Sequence, residues 1–204
     1  LVNMPRVSHY RLAAHLGLAF LLFAYLFWMI LDLAASHLKE NTANLKPLKA
    51  ASLAAFCLIC LQVFYGALTA GLRAGIGYNT FPKMGDEWIP SGMFSMDPAW
   101  ASVFESNLTV QFIHRALAWL LAIGIPLLYA YSRLFTLNRP QKFAFNLLLL
   151  SLFIQFLLGV FTLINYVPIS LAVTHQAGAF VLFGASLYVL HTLSPARRIM
   201  VLHL

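Results

Sequence analysis

Residues 108–132 read LTVQFIHRALAWLLAIGIPLLYAYS. The run exceeds the roughly 20 residues that a helix needs to cross a bilayer core. His114 and Arg115 near its start are its only strongly polar interruptions besides Gln111. An imidazole in hydrocarbon is costly, so its presence marks a functional site by default. Four further apolar runs accompany this one, at about 11–34, 49–72, 143–166 and 169–193. Two of them repeat its pattern. His15 and His175, like His114, lie about five or six residues past a segment start. If the segments alternate in direction, all three starts fall on the same side of a membrane. Three histidines at one depth point to metal or haem ligation near one membrane face.

Composition agrees with membrane spans. The 204 residues are 61% hydrophobic and 9% charged, and the mean hydropathy is +0.81. These values define an all-α, multi-pass membrane protein rather than a soluble domain. The formal charge of +7 is a topology signal and not a nucleic-acid signature. Lys39, Lys46, Lys49, Arg133, Arg139, Lys142, Arg197 and Arg198 follow the first, third and fifth segments. The opposite side has Arg6, Arg11, Arg73 and Lys83, offset by Asp86, Glu87, Asp97 and Glu105. The positive-inside rule therefore puts the first group in the cytoplasm or mitochondrial matrix. The chain begins with Leu1, so a preceding segment is expected.

A degenerate repeat organises the segments. Gln62-x-x-x-Gly66-x-x-Thr69 in the second recurs as Gln155-x-x-x-Gly159-x-x-Thr162 in the fourth. Each of these helices leads through an outer connection into a histidine helix. In the first segment, His15-Leu-Gly-Leu-Ala19-Phe20 resembles His175-Gln-Ala-Gly-Ala179-Phe180 of the fifth. His15 thus has a place in the repeat but no Gln-helix before it. At 1.5 Å per residue, the histidines lie roughly 7–9 Å below the outer helix ends. At that depth His114 and His175 can meet on opposite faces of one porphyrin. Gly66 and Gly159 are read as ordinary helix-packing positions, and Gln62 and Gln155 as helix–helix hydrogen bonds. Cys57 and Cys60 are read as packing residues rather than a redox pair. His9, His37, His191 and His203 near segment ends and in tails are read as solvated or interfacial, with no role. The outer loop 71–107 is long, punctuated by Gly, Pro and Asn and rich in aromatics. Tyr78, Trp88, Phe94 and Trp100 suit an ordered lid at the membrane interface.

Several of these stretches together resemble the haem A synthase family, the membrane enzymes that convert haem O to haem A for cytochrome c oxidase. They are Tyr10-Arg-Leu-Ala-Ala-His15-Leu, Ala70-Gly-Leu-Arg-Ala-Gly75, Tyr78-Asn-Thr-Phe-Pro82, Trp88-Ile-Pro90, Val110-Gln-Phe-Ile-His-Arg115 and Thr174-His-Gln176. The resemblance spans nearly the whole chain. It implies an eight-helix fold in two four-helix halves. This chain would hold five transmembrane helices: a haem-binding four-helix bundle plus one helix of a second, truncated bundle. Residues 1–36 would be the last helix of the substrate-haem half and 37–48 a linker. Residues 49–196 would form the haem b bundle and 197–204 a basic tail.

The resemblance further implies that His114 and His175 are axial ligands to the iron of haem b. His15 would be one ligand to the iron of the substrate haem, and Arg115, with Arg73, would face haem propionates. The catalytic residues are expected upstream of Leu1, so this portion alone would be incomplete for catalysis. The implied reaction oxidises a ring methyl of haem O to a formyl group. The implied setting is the bacterial cytoplasmic membrane or the mitochondrial inner membrane. An electron-transfer partner is implied. Haem O synthase and oxidase assembly factors are candidate further partners, and self-association is left open. The alternatives are a b-type cytochrome that only transfers electrons and a haem-binding assembly or transport protein.

Overall fold

The computed structural model describes residues 8–34 and 44–194. Leu1, Arg6, His37, Lys39, Arg197, Arg198 and His203, residues 37–43 of the linker and the basic tail lie outside the described residues. The described chain is helical, and its single β-bridge joins Met84 and Glu87. The helices are α1 (His9–Ala34), α2 (Lys46–Gly71), the short α3 (Ser102–Glu105), α4 (Asn107–Ser132), α5 (Arg139–Ile164) and α6 (Ile169–Thr192). All but α3 are long and apolar enough to cross a membrane.

Local chemistry sets the boundaries. Ser106 caps α4 by accepting from the Thr109 N–H. Asn138 and Gln141 form a reciprocal capping box at the start of α5. That cap starts α5 at Arg139, so Arg139 and Lys142 lie on the helix rather than in the connection expected from hydropathy. Pro47 likewise lets α2 begin at Lys46, shortening the linker expected to reach residue 48. Leu45 and Leu48 at this end are buried.

Helices α2, α4, α5 and α6 form a closed bundle in which each packs on two of the others. Helix α1 lies against α2 and α6. The inner half of the bundle is solid. Ile125, Phe145, Leu148, Phe183 and Val189 are among its buried side chains. Its outer half is hollow. Ile59, Leu121, Leu152 and Leu182, one from each bundle helix, are buried and also line the cavity above. They form its floor. The lipid-length helices carry their large exposed apolar residues outward, as on α1 with Leu18, Leu21, Leu22, Tyr25 and Leu33.

The first and last helices meet at matching repeat positions. Phe20 of α1 and Phe180 of α6 stack with ring centroids 4.0 Å apart and 11° between planes. Near the inner end, Asp32 of α1 pairs with His191 of α6 at 2.9 Å. At the outer end, the Tyr10 hydroxyl donates to Glu105, and His9 lies 3.5 Å from the same carboxylate. The expectation that His191 is solvated or interfacial with no role is therefore corrected by its contact with Asp32, a pairing invisible from position along a segment. His9 lies near Glu105, but its Nε2 makes no hydrogen bond.

Candidate functional site

The cavity in the outer half of the bundle has a volume of about 630 Å³, within the range of cofactor sites. Its walls are largely apolar. The repeat supplies many of their polar interruptions, and Arg73, Gln111, Arg115 and Gln176 add others. Gln62, Gly66 and His114 line one side, and Gln155, Gly159 and His175 line another. His114 lies seven residues after Asn107, and His175 six after Ile169. Both imidazoles are therefore roughly 9–10 Å inside the outer end of their helices.

Each histidine rests on the glycine of its hairpin partner. A Cβ placed on Gly66 would lie 3.2 Å from Cε1 of His114. One placed on Gly159 would lie 2.9 Å from Cε1 of His175. The reading of these glycines as helix-packing positions agrees with this close approach, and the neighbour each one faces is a histidine ring. The glutamines bridge the same helix pairs, as expected, but by different atoms. The Gln62 side-chain amide lies 3.4 Å from Nε2 of His114. Gln155 donates to the His175 backbone carbonyl at 3.0 Å. Thr69 and Thr162 donate to the carbonyls of Tyr65 and Leu158, four residues back on their own helices. Nδ1 of both His114 and His175 is buried without a hydrogen-bond partner.

The loop 72–106 closes the outer mouth. Nη2 of Arg115 donates to the carbonyls of Thr80, Pro82 and Lys83 at 2.8–2.9 Å. Nη1 of the same guanidinium has no partner. Gln111 donates to the Tyr78 carbonyl at 2.9 Å, and Asn79 donates to the Leu163 carbonyl at the end of α5. These bonds hold Phe81 against Trp119 of α4 and Phe156 of α5, with centroid separations of 5.6 and 6.1 Å. Sequence reading quoted Phe81 within a motif but gave it no role, and it missed Trp119 and Phe156, whose apolar type matches most of their neighbours. Trp88, Phe94 and Trp100 remain exposed on the loop.

Not every expected residue joins this site. Arg73 lines the cavity at its mouth. His15 does not line it, and lies on the exposed side of α1. The same helix turns Leu12, Leu16 and Phe20 inward as cavity wall. Cys57 and Cys60 are exposed on α2 and unbonded. Among the described residues, no three His, Cys, Asp or Glu side chains converge as a free-ion site. Two imidazoles in a large apolar cavity, with cations at its mouth, instead suit a flat apolar cofactor that carries its own metal and acidic edge groups.

The family model of cytochrome oxidase assembly proteins, COX15-CtaA, matches residues 1–187. The chain belongs to the COX15-CtaA family. It is 44% identical over 195 residues to the heme A synthase of Nitrosospira multiformis, covering 95% of this chain and 54% of that protein. It is 43% identical over 194 residues to the heme A synthase of Parvibaculum lavamentivorans, at 95% and 54% coverage. Against heme A synthase COX15 of Bos taurus the identity is 41% over 192 residues, at 94% and 46%. The chain spans about half the length of the curated relatives it matches. No solved structure matches it. COX15-CtaA membership agrees with a haem-binding, multi-pass membrane protein, and the five long apolar helices suit it.

Proposed function

We propose that this chain is the haem b portion of a haem A synthase, with His114 and His175 as the axial ligands. The observation that supports it is the pair of glycine-seated imidazoles lining one cavity, each on a hairpin of the same repeat. A haem held by these two histidines would supply one-electron transfer. The chain's own residues bind and orient it. The floor of Ile59, Leu121, Leu152 and Leu182 limits its depth. Arg115, with its unpartnered Nη1, and Arg73 face the propionates, for which a guanidinium is well suited. Phe81, Trp119 and Phe156 exclude water from one side of the cavity.

The substrate in this reading is haem O, and the whole enzyme oxidises one ring methyl to a formyl group for cytochrome c oxidase. That turnover belongs to a second bundle, of which α1 supplies one helix. Two features support the assignment. Phe20 meets its repeat counterpart Phe180 in register, and His15 sits on the side of α1 away from the present cavity. His15 is then one ligand to the substrate haem. In this reading residues 1–36 belong to the substrate half and residues 49–196 to the haem b half. An electron-transfer partner completes the redox chemistry, on a bacterial cytoplasmic or mitochondrial inner membrane.

Expression in cells that supply haem O but have no synthase of their own tests the proposal, with pigment extraction as the readout. The full-length protein yields haem A, and its His114→Ala variant yields little or none. Residues 1–204 alone bind haem b and yield no haem A. Haem A from residues 1–204 alone would refute this division of labour. Undiminished haem A from the His114→Ala protein would refute the part assigned to the second site.

A further inference from the structure

We propose that Gly66 and Gly159 are positioning residues that fix the planes of the two axial imidazoles, each by presenting bare backbone to the Cε1 edge of a histidine. The inference rests on the ligand reading above, and adds what sets the ligands' orientation. Rotation about the Cβ–Cγ bond of a histidine sweeps Cε1 and Nε2 along an arc. A helix backbone standing against Cε1 limits that sweep and so holds the ring plane. Only glycine lets the backbone stand so close. On Gly159, an added Cβ would be 2.9 Å from Cε1 of His175 and 3.5 and 3.6 Å from its nitrogens. Real Cβ atoms essentially never approach so closely. On Gly66, the added Cβ would be 3.2 Å from Cε1 and 3.7 Å from Nδ1 of His114. The contact is tight enough that the ring must yield by a few tenths of an ångström.

The same device occurs in both hairpins, at the same offset from the glutamine. Other glycines of the long helices lack it. Gly17 and Gly124 have nothing within 4 Å of an added Cβ, and Gly184 faces the rings of Phe23 and Phe27. The two seats also differ. Gln62 touches the His114 ring itself, whereas Gln155 bonds the His175 backbone. Nδ1 of His175 has no hydrogen-bond partner, and the Gly159 backbone stands closer to its ring than Gly66 does to that of His114. The electronic properties of a bis-histidine haem follow its axial ligands and their surroundings. Turning an imidazole plane therefore changes the g anisotropy and the potential without removing a ligand.

The experiment uses the full-length protein, purified with its bound haem, in wild-type form and as Gly66→Ala, Gly159→Ala and Gly124→Ala. Low-temperature electron paramagnetic resonance and a redox titration are recorded on each. The Gly124→Ala protein, altered on the His114 helix away from any ring, keeps the wild-type gmax and midpoint potential. The Gly66→Ala protein stays low-spin with both displaced. The Gly159→Ala protein shows a larger displacement or loses the six-coordinate signal. Where the Gly159→Ala protein fails to fold, Gly66→Ala decides. Wild-type gmax and potential in Gly66→Ala, or equal shifts in all three variants, overturns the positioning role. Retention of the bis-histidine signal in either His114→Ala or His175→Ala would instead overturn the ligand reading beneath it. The two failures are thereby distinguishable.

Discussion

Arg115 illustrates how one side chain serves both a loop and a cavity. Nη2 carries two hydrogens and faces three carbonyls, so at least one bond is shared between acceptors. Arg115→Ala removes all three bonds and leaves the carbonyls to water. Hydrogen bonds from a charged donor contribute roughly 1.5–3 kcal/mol each when buried. For this partly exposed, shared set the expected loss is about 2 kcal/mol. The measurement is hydrogen exchange across residues 78–85, which accelerates in Arg115→Ala while the inner core stays protected. Unchanged exchange there would show that the loop holds without the arginine. The sequence made His114 and His175 legible because an ionisable ring is conspicuous among apolar neighbours. The loop role of Arg115 left no such mark. Its acceptors are main-chain carbonyls 32–35 residues away, and any residue supplies a carbonyl. Gly66 and Gly159 were half legible. Their spacing could be read, but the ring each one faces is set by hairpin register.

At the scale of elements, hydropathy located every long helix, because a span must be apolar over its whole length. It was poorest where polar chemistry sets the end. Helix α5 begins four residues before its apolar run, since the Asn138–Gln141 box satisfies its first free N–H groups. Gln141 also donates to the Thr192 carbonyl at the end of α6, tying the two inner helix ends together. Asn138→Ala breaks the box and costs about 1 kcal/mol of stability. A lower unfolding midpoint in detergent, with the haem spectrum intact, checks this. The Asp32–His191 contact was also unreadable, because its partners are 159 residues apart and on helices that no local pattern pairs.

The whole molecule is a bundle solid at its inner end and hollow at its outer end, with a loop across the opening. The charge asymmetry supports a proposed orientation of those ends. In it the loop 72–106 faces the periplasm or intermembrane space, and residues 133–138 the opposite side. Single cysteines introduced at Ser95 and Thr136, in a background lacking Cys57 and Cys60, test this in sealed vesicles. An impermeant reagent reaches each from a different side, and labelling of both from one side would refute the arrangement. The large-scale plan was legible because lipid imposes it on the sequence through length, charge and repeats. The cavity was not, since it exists only where four helices stop filling the space between them. The central claim is that this hollow is a haem site closed by His114 and His175. Its most direct test is the absorption spectrum of the purified full-length protein, with its bound haem, as His114→Ala and as His175→Ala. Loss of the low-spin bis-histidine spectrum of that haem in both variants is the predicted result, and an unchanged spectrum in either would contradict it.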